Sequence, residues 1–207
     1  MMIFILLLSF VSGIESTIRC FECVDAPHPA DCGVITLCPD SDQCMTRQFV
    51  SSGGLILYTS GCESKYKCGL LGKRDREDSQ LLVRGNTDIP VCEHCCNDDF
   101  CNVNGCGVSK LPQPYRGPFC LQCHDEDDPR NCRHVAQCAL EETCSVNQIL
   151  DHNFDGIVRF HSGCIRDIQC TALALTSKTH NLCFKCCSQD FCNDECSSTT
   201  AAVTHRY

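Results

Sequence analysis

Twenty-four of the 207 residues are cysteine, and their positions repeat along the chain. From Cys20 to Cys106 the intervals are 3, 9, 6, 6, 18, 6, 24, 3, 1, 5 and 5 residues. From Cys120 to Cys196 they are 3, 9, 6, 6, 20, 6, 13, 3, 1, 5 and 4. Eight of the eleven intervals coincide. Other residues keep the same register: Asp25 with Asp125, Pro29 with Pro129, Ser60-Gly61-Cys62 with Ser162-Gly163-Cys164, and Asp99-Phe100-Cys101-Asn102 with Asp190-Phe191-Cys192-Asn193. Two copies of one domain account for this. We assign residues 17–106 to the first and 120–196 to the second. A Pro- and Gly-rich linker over 107–119 and a short tail over 197–207 complete the reading.

The cysteines also set the compartment. At about 12 % of residues they exceed the roughly 8–10 % that marks a disulfide scaffold, and disulfides persist in oxidising surroundings. Residues 1–16 fit a secretory leader, with an apolar run from Ile3 to Val11 followed by Ser12 and Gly13. The expected location is therefore secreted and extracellular. The net charge of -9 disfavours a nucleic-acid partner. No apolar run reaches the roughly 18 residues of a membrane span. The C-terminal residues lack the apolar tail of a GPI signal, so no membrane anchor is expected.

Each copy is under 100 residues and poor in large apolar side chains. Such a domain struggles to offset its chain entropy by burial alone. Six disulfides per copy, each contributing roughly 2–4 kcal/mol, would compensate. Spacing leaves about 10,000 ways to pair twelve cysteines and does not choose among them. Coarse secondary structure is β. Met45–Val50 and Leu55–Thr59 flank Ser51-Ser52-Gly53-Gly54 as a hairpin. In the second copy, Ser145–Leu150 and Ile157–His161 flank Asp151–Gly156. The copies differ mainly in this hairpin and in the stretch before the closing cysteine cluster. That stretch contains the mixed-charge run Lys73–Asp78, read as a solvated loop tip.

The opening Cys-x-x-Cys and the closing motif carry a resemblance. The closing motif stands as Cys95-Cys96-Asn97-Asp98-Asp99-Phe100-Cys101-Asn102. It recurs as Cys186-Cys187-Ser188-Gln189-Asp190-Phe191-Cys192-Asn193. Together with the intervals between them, these resemble the urokinase-receptor/lymphocyte-antigen (LU, three-finger) domain family. The resemblance implies an all-β, disulfide-rich fold of two tandem three-finger domains. It implies the pairs Cys20–Cys44, Cys23–Cys32, Cys38–Cys62, Cys68–Cys95 and Cys96–Cys101. In the second copy it implies Cys120–Cys144, Cys123–Cys132, Cys138–Cys164, Cys170–Cys186 and Cys187–Cys192. It also implies that Asn102 and Asn193 tie each palm together through backbone hydrogen bonds. Two cysteines per copy exceed the family's ten. They flank the closing cluster at similar offsets, and we pair them as Cys92–Cys106 and Cys183–Cys196.

Other motifs are weaker. Cys-x-x-Cys suggests zinc or thiol exchange in a reducing compartment, but within a repeated frame of even cysteine count it reads as structural. The eight histidines keep no ligand spacing along the sequence. Asp151-x-Asn153-x-Asp155-Gly156 begins like a calcium loop, but Ser162 stands where the bidentate Glu is needed. Asp125-Glu126-Asp127-Asp128 is an acidic run in a short finger. No catalytic motif is present, and an enzyme is not expected; nor is any cofactor. The expected function is binding of an extracellular protein partner through finger loops, as a receptor modulator, decoy or secreted signal. Alternatives are inhibition of a secreted enzyme such as a phospholipase, and an acidic structural role in an extracellular or mineralised matrix. The central finger tips differ most between the copies. His152, Phe154 and Asp155 of the second are the expected partner contacts, with Phe154 as the anchor.

Overall fold

A computed structural model describes residues 17–71, 88–109, 112, 115–151, 157–180 and 182–196. Domain 1 consists of β1 (Ile18–Ala26), β2 (Val34–Cys38), β3 (Asp42–Val50), β4 (Ile56–Ser64), α1 (Lys65–Leu71) and β5 (Ile89–Cys96). Domain 2 repeats this as β6 (Phe119–Leu121), β7 (Cys123–Glu126), β8 (Val135–Gln137), β9 (Glu142–Asp151), β10 (Ile157–Arg166), α2 (Asp167–His180) and β11 (Phe184–Cys187). β6 and β7 together correspond to β1. The strands of domain 1 form one sheet in the order β2-β1-β4-β3-β5. Those of domain 2 form β11-β9-β10-β7 and a separate β6-β8 pair.

The central hairpins lie where the sequence places them. β3 and β4 pair antiparallel from Asp42↔Ser64 to Val50↔Ile56, and β9 and β10 from Glu142↔Arg166 to Asp151↔Ile157. The third fingers depart from an all-strand reading, because each begins with a helix. In α2 the run Thr171-Ala172-Leu173-Ala174-Leu175 is rich in strong helix formers, and Asp167 opens the first turn, where a carboxylate suits the helix dipole.

All cysteines are paired. The disulfides are Cys20–Cys44, Cys23–Cys32, Cys38–Cys62, Cys68–Cys95, Cys96–Cys101 and Cys92–Cys106 in domain 1. In domain 2 they are Cys120–Cys144, Cys123–Cys132, Cys138–Cys164, Cys170–Cys186, Cys187–Cys192 and Cys183–Cys196. None crosses between the domains.

Asn102 and Asn193 are fully buried and act alike. Asn102 Oδ1 accepts from the Phe21 N–H at 3.0 Å, and its Nδ2 donates to the carbonyls of Phe21 and Met45. Asn193 Oδ1 accepts from the Leu121 N–H at 3.0 Å, and its Nδ2 donates to the carbonyls of Leu121 and Ser145. Each amide therefore ties the first strand of its domain to the central finger.

The apolar side chains do not form two separate cores. Within each palm the buried cluster is mainly sulfur: Cys20, Cys38 and Cys44 in one, Cys120, Cys138 and Cys144 in the other. Phe21, Ile35, Phe100 and Val103 of domain 1 instead join Phe119, Leu121 and Val135 of domain 2 in one buried cluster, with Phe191 packed against it. Phe100 and Phe191, equivalent residues of the two repeats, stack with ring centroids 3.9 Å apart. Phe21 meets Phe100, Phe119 and Phe191 edge to face. The contact has local two-fold character. Ile35 N–H donates to Arg133 O at 2.8 Å, and Val135 N–H donates to Gly33 O at 3.0 Å. The edges of β2 and β8 thus cover each other, removing two exposed sheet edges.

Charges finish the junction. The Arg19 guanidinium lies 4.7 Å over the Phe100 ring and pairs with Asp99 in its own domain and Asp194 in the other. Arg116 lies 4.6 Å over Phe119 and pairs with Asp190 through two short hydrogen bonds. Arg116 is only 7 % exposed. The end of the segment read as linker is therefore built into domain 2. Gly117 is required there, because a Cβ would run into the backbone oxygens of Cys138 and Ala139.

Candidate interaction surface

The tip of the central finger in domain 1 carries one group of the exposed apolar residues. In domain 1 a tight turn closes the central finger: Ser51 N–H donates to Leu55 O and Gly54 N–H to Ser51 O, both at 2.8 Å. Gly54 takes φ 78°, a conformation glycine adopts at no steric cost. Ser52 N–H donates to Asp88 Oδ1, joining this tip to the start of β5. β3 pairs on both sides there, Val50↔Ile56 and Val50↔Ile89. Directly opposed residues share a face of a sheet, so Ile56, Val50 and Ile89 form a row across three strands. Leu55 (64 % exposed), Ile56 (55 %), Ile89 (64 %) and Val91 (57 %) leave that tip uncovered. Along the same face of β4, Tyr58 and Ser60 are buried, so exposure grows from palm to tip. The sequence reading calls this tip small and neutral from its turn residues. It misses the apolar strand ends, whose signal is the Leu55-Ile56-Leu57 run next to Gly54.

His152, Phe154 and Asp155, the expected contacts in domain 2, lie outside the described residues. The β9–β10 ladder is in register up to Asp151↔Ile157. Ser162, the last position of the calcium-like motif, is buried, and its Oγ accepts the Cys123 N–H at 3.2 Å. It is thus committed to the palm.

The acidic run is engaged internally. Asp128 caps the short 3-10 turn after it, accepting the Arg130 N–H at 2.9 Å, and pairs with the Arg130 side chain at 2.6 Å. That hydrogen bond to Arg130 is the main effect holding the Asp128 carboxyl below its ordinary range. Asp127 accepts from Asn131 and is lowered chiefly by that bond. Asp125 takes φ 68° where β7 shifts register, as Asp25 does at φ 57° in domain 1. Asp tolerates the left-handed region better than most residues, which explains the repeated Asp. The Sγ atoms of Cys20, Cys38 and Cys62, and those of Cys120, Cys138 and Cys164, lie close together, but all are in disulfides and none is a metal ligand. A cleft of about 250 Å³ opens where the domains meet, lined by Asp31, Gly33, Phe119, Val135 and Gln137 among others. It falls short of the roughly 300–1,000 Å³ of small-molecule pockets.

Comparison with known proteins completes this picture. The u-PAR/Ly-6 domain pattern matches residues 16–104 and again residues 117–195. The chain belongs to the u-PAR/Ly-6 domain family. Mouse (Mus musculus) prostate stem cell antigen is similar, 26 % identical over 113 residues, covering 53 % of this chain and 81 % of that protein. Mouse Ly6/PLAUR domain-containing protein 6B is 28 % identical over 124 residues, covering 48 % of this chain and 67 % of that protein. Membership of the u-PAR/Ly-6 family supports a protein-binding role, and its members are secreted or surface-anchored. Among the described residues no helix is long and apolar enough to cross a membrane.

Proposed function

We propose that this u-PAR/Ly-6 protein is a secreted, non-enzymatic binding protein that engages an extracellular protein partner through its finger tips. One observation carries the reading: Leu55, Ile56, Ile89 and Val91 stand exposed together at the tip of domain 1. Clustered exposed aliphatics on a disulfide-braced scaffold have no role in folding and mark interaction surfaces. The shared core supports the reading further, because it holds both sets of fingers in one fixed relation and lowers the ordering cost of binding. We include His152, Phe154 and Asp155 of domain 2 as a second contact. The internal pairing of Asp125, Asp127 and Asp128 favours this reading over an acidic matrix role.

The test is a binding screen of the oxidised chain against displayed extracellular proteins, repeated with Ile56→Asp combined with Ile89→Asp. A partner whose affinity falls by about 2 kcal/mol or more in the double variant, with folding intact, supports the assignment. Phe154→Ala should weaken the same partner by a similar amount. Equal affinity of all three proteins for every partner would refute both contacts.

A further inference from the structure

Domain 2 holds a pair of histidines that neither the palm nor the finger tips use. His124 lies on β7 and His161 on β10, neighbouring antiparallel strands with Cys123 opposite Ser162 and Glu126 opposite Phe160. Thirty-seven residues separate the two in sequence, yet their rings meet edge to face with centroids 5.1 Å apart. Two imidazoles that each give one nitrogen to a tetrahedral cation at about 2.0–2.1 Å have centroids about 5 Å apart. The centroid separation matches that value, and rotation of the two side chains about χ1 and χ2 would turn one nitrogen of each ring toward a shared cation.

The scaffold beneath them is rigid. Cys123–Cys132 braces β7 immediately before His124, and the Cys123 N–H donates to Ser162 Oγ immediately after His161. Preorganised ligands on strands make a more exact site than ligands on loops. Domain 1 has the same frame, with Cys23 opposite Ser60 and the Cys23–Cys32 bond, but there Val24 and Thr59 occupy the corresponding places. The fold therefore does not require imidazoles at these positions.

The surrounding charges are Asp125 and Glu126 on β7 and Arg159 on β10, whose Nε lies 3.8 Å from Asp125 Oδ1.

We propose that His124 and His161 form a surface site for a divalent transition-metal cation of the zinc type, with water completing the coordination. Imidazole suits zinc, copper and nickel, whereas calcium and magnesium take oxygen ligands. The site belongs to domain 2 alone, with His124 on the edge strand β7 and His161 on its neighbour β10.

The experiment is titration of the full oxidised chain with Zn²⁺, followed by calorimetry and by the histidine ring resonances in NMR. At about pH 7.5 one saturable site is expected, with the His124 and His161 resonances moving together. Lowering the pH to about 5.5 should weaken it by more than about tenfold, because protons compete with the cation for imidazole nitrogen. His124→Gln and His161→Gln should each cost about tenfold or more, while His134→Gln leaves binding unchanged. The double variant Val24→His with Thr59→His should add a second site in domain 1, which tests the geometry without disturbing domain 2. The proposal is overturned by the absence of saturable binding to the wild-type chain. Binding that survives both single variants, or a Val24→His, Thr59→His chain that folds and gains no site, overturns it equally.

Discussion

The Phe100 and Phe191 rings stack at 3.9 Å across the junction of the two domains, and both residues hold left-handed backbone, φ 60° and 58°. That conformation costs an L-residue roughly 1–2 kcal/mol, and it is unusual for an aromatic. It persists because the Phe100 N–H donates to Arg19 O at 2.6 Å and the Phe191 N–H to Phe119 O at 2.7 Å. The turn places each ring in the shared core rather than in its own palm. Two small domains, each too poor in apolar residues for a full core, pool them at one contact.

A shared core predicts shared unfolding. Denaturant unfolding of the oxidised chain should show one transition rather than two. Phe100→Ala should destabilise the whole chain by roughly 3–5 kcal/mol, the cost of emptying a buried aromatic site. Two well-separated transitions, only one of them shifted by Phe100→Ala, would show that the domains fold independently.

Asn102 and Asn193 should be equally intolerant of change. Each buried amide accepts one backbone hydrogen bond and donates two. Truncation to Ala strands those backbone groups at roughly 1–3 kcal/mol for each one left unsatisfied. Asn102→Ala should lower the yield of oxidised protein and the denaturation midpoint. A variant as stable as the parent would show that water replaces the amide.

The Cys92–Cys106 bond closes a loop of about 15 residues, worth about 3 kcal/mol by the entropic argument. It also pins the chain after Asn102 against β5. Replacing both cysteines with Ser should lower the denaturation midpoint without preventing folding, since the other disulfides of the domain remain. Intact mass should lie about 24 hydrogens below the reduced chain in the parent, as expected for a fully oxidised framework. Free thiols in the native protein, or a mapped link from Cys92 to Cys68, would contradict the pairing.

Acid should destabilise the protein in two stages. His161 titrates below its ordinary 6.5 in the folded chain, so the unfolded chain binds the proton more readily. Stability is then full above about pH 6.5 and falls as the pH drops through the folded value. Glu63, Asp127 and Asp128 are also lowered, so their contribution is present above the ordinary carboxylate range and lost below it. Melting temperature measured against pH should be level near pH 8, decline below 6.5 and decline again near 4. His161→Gln should remove the first decline and leave the second. A first decline unchanged in that variant would assign it to another group.

Reading the chain as sequence reaches far where the evidence is local or repeated. The cysteine intervals reveal two copies. The flanks of Gly53-Gly54 and Gly156 reveal the central hairpins, because a turn's residue types report its backbone directly. The helix α2 is missed although its Ala and Leu run was visible, because a β frame was extended over finger three. The linker reading runs on to residue 119 and so takes in Arg116, whose burial depends on Asp190 and Phe119 coming to meet it.

The amino-acid sequence by itself determined the repeat and the hairpins; the family resemblance implied ten of the cysteine pairs, and the offsets of the four remaining cysteines implied the other two. These rest on spacing, and a twelve-cysteine frame leaves little freedom in the backbone it encloses. Only the tertiary structure decided where the large apolar side chains go. Alternation along a strand says that Phe21 and Ile35 face inward, but not that the inside is a junction with another domain. The same holds for His124 and His161, which no spacing connects. Their meeting follows from a strand register and a disulfide, and from the substitution of two side chains on a scaffold that domain 1 shares.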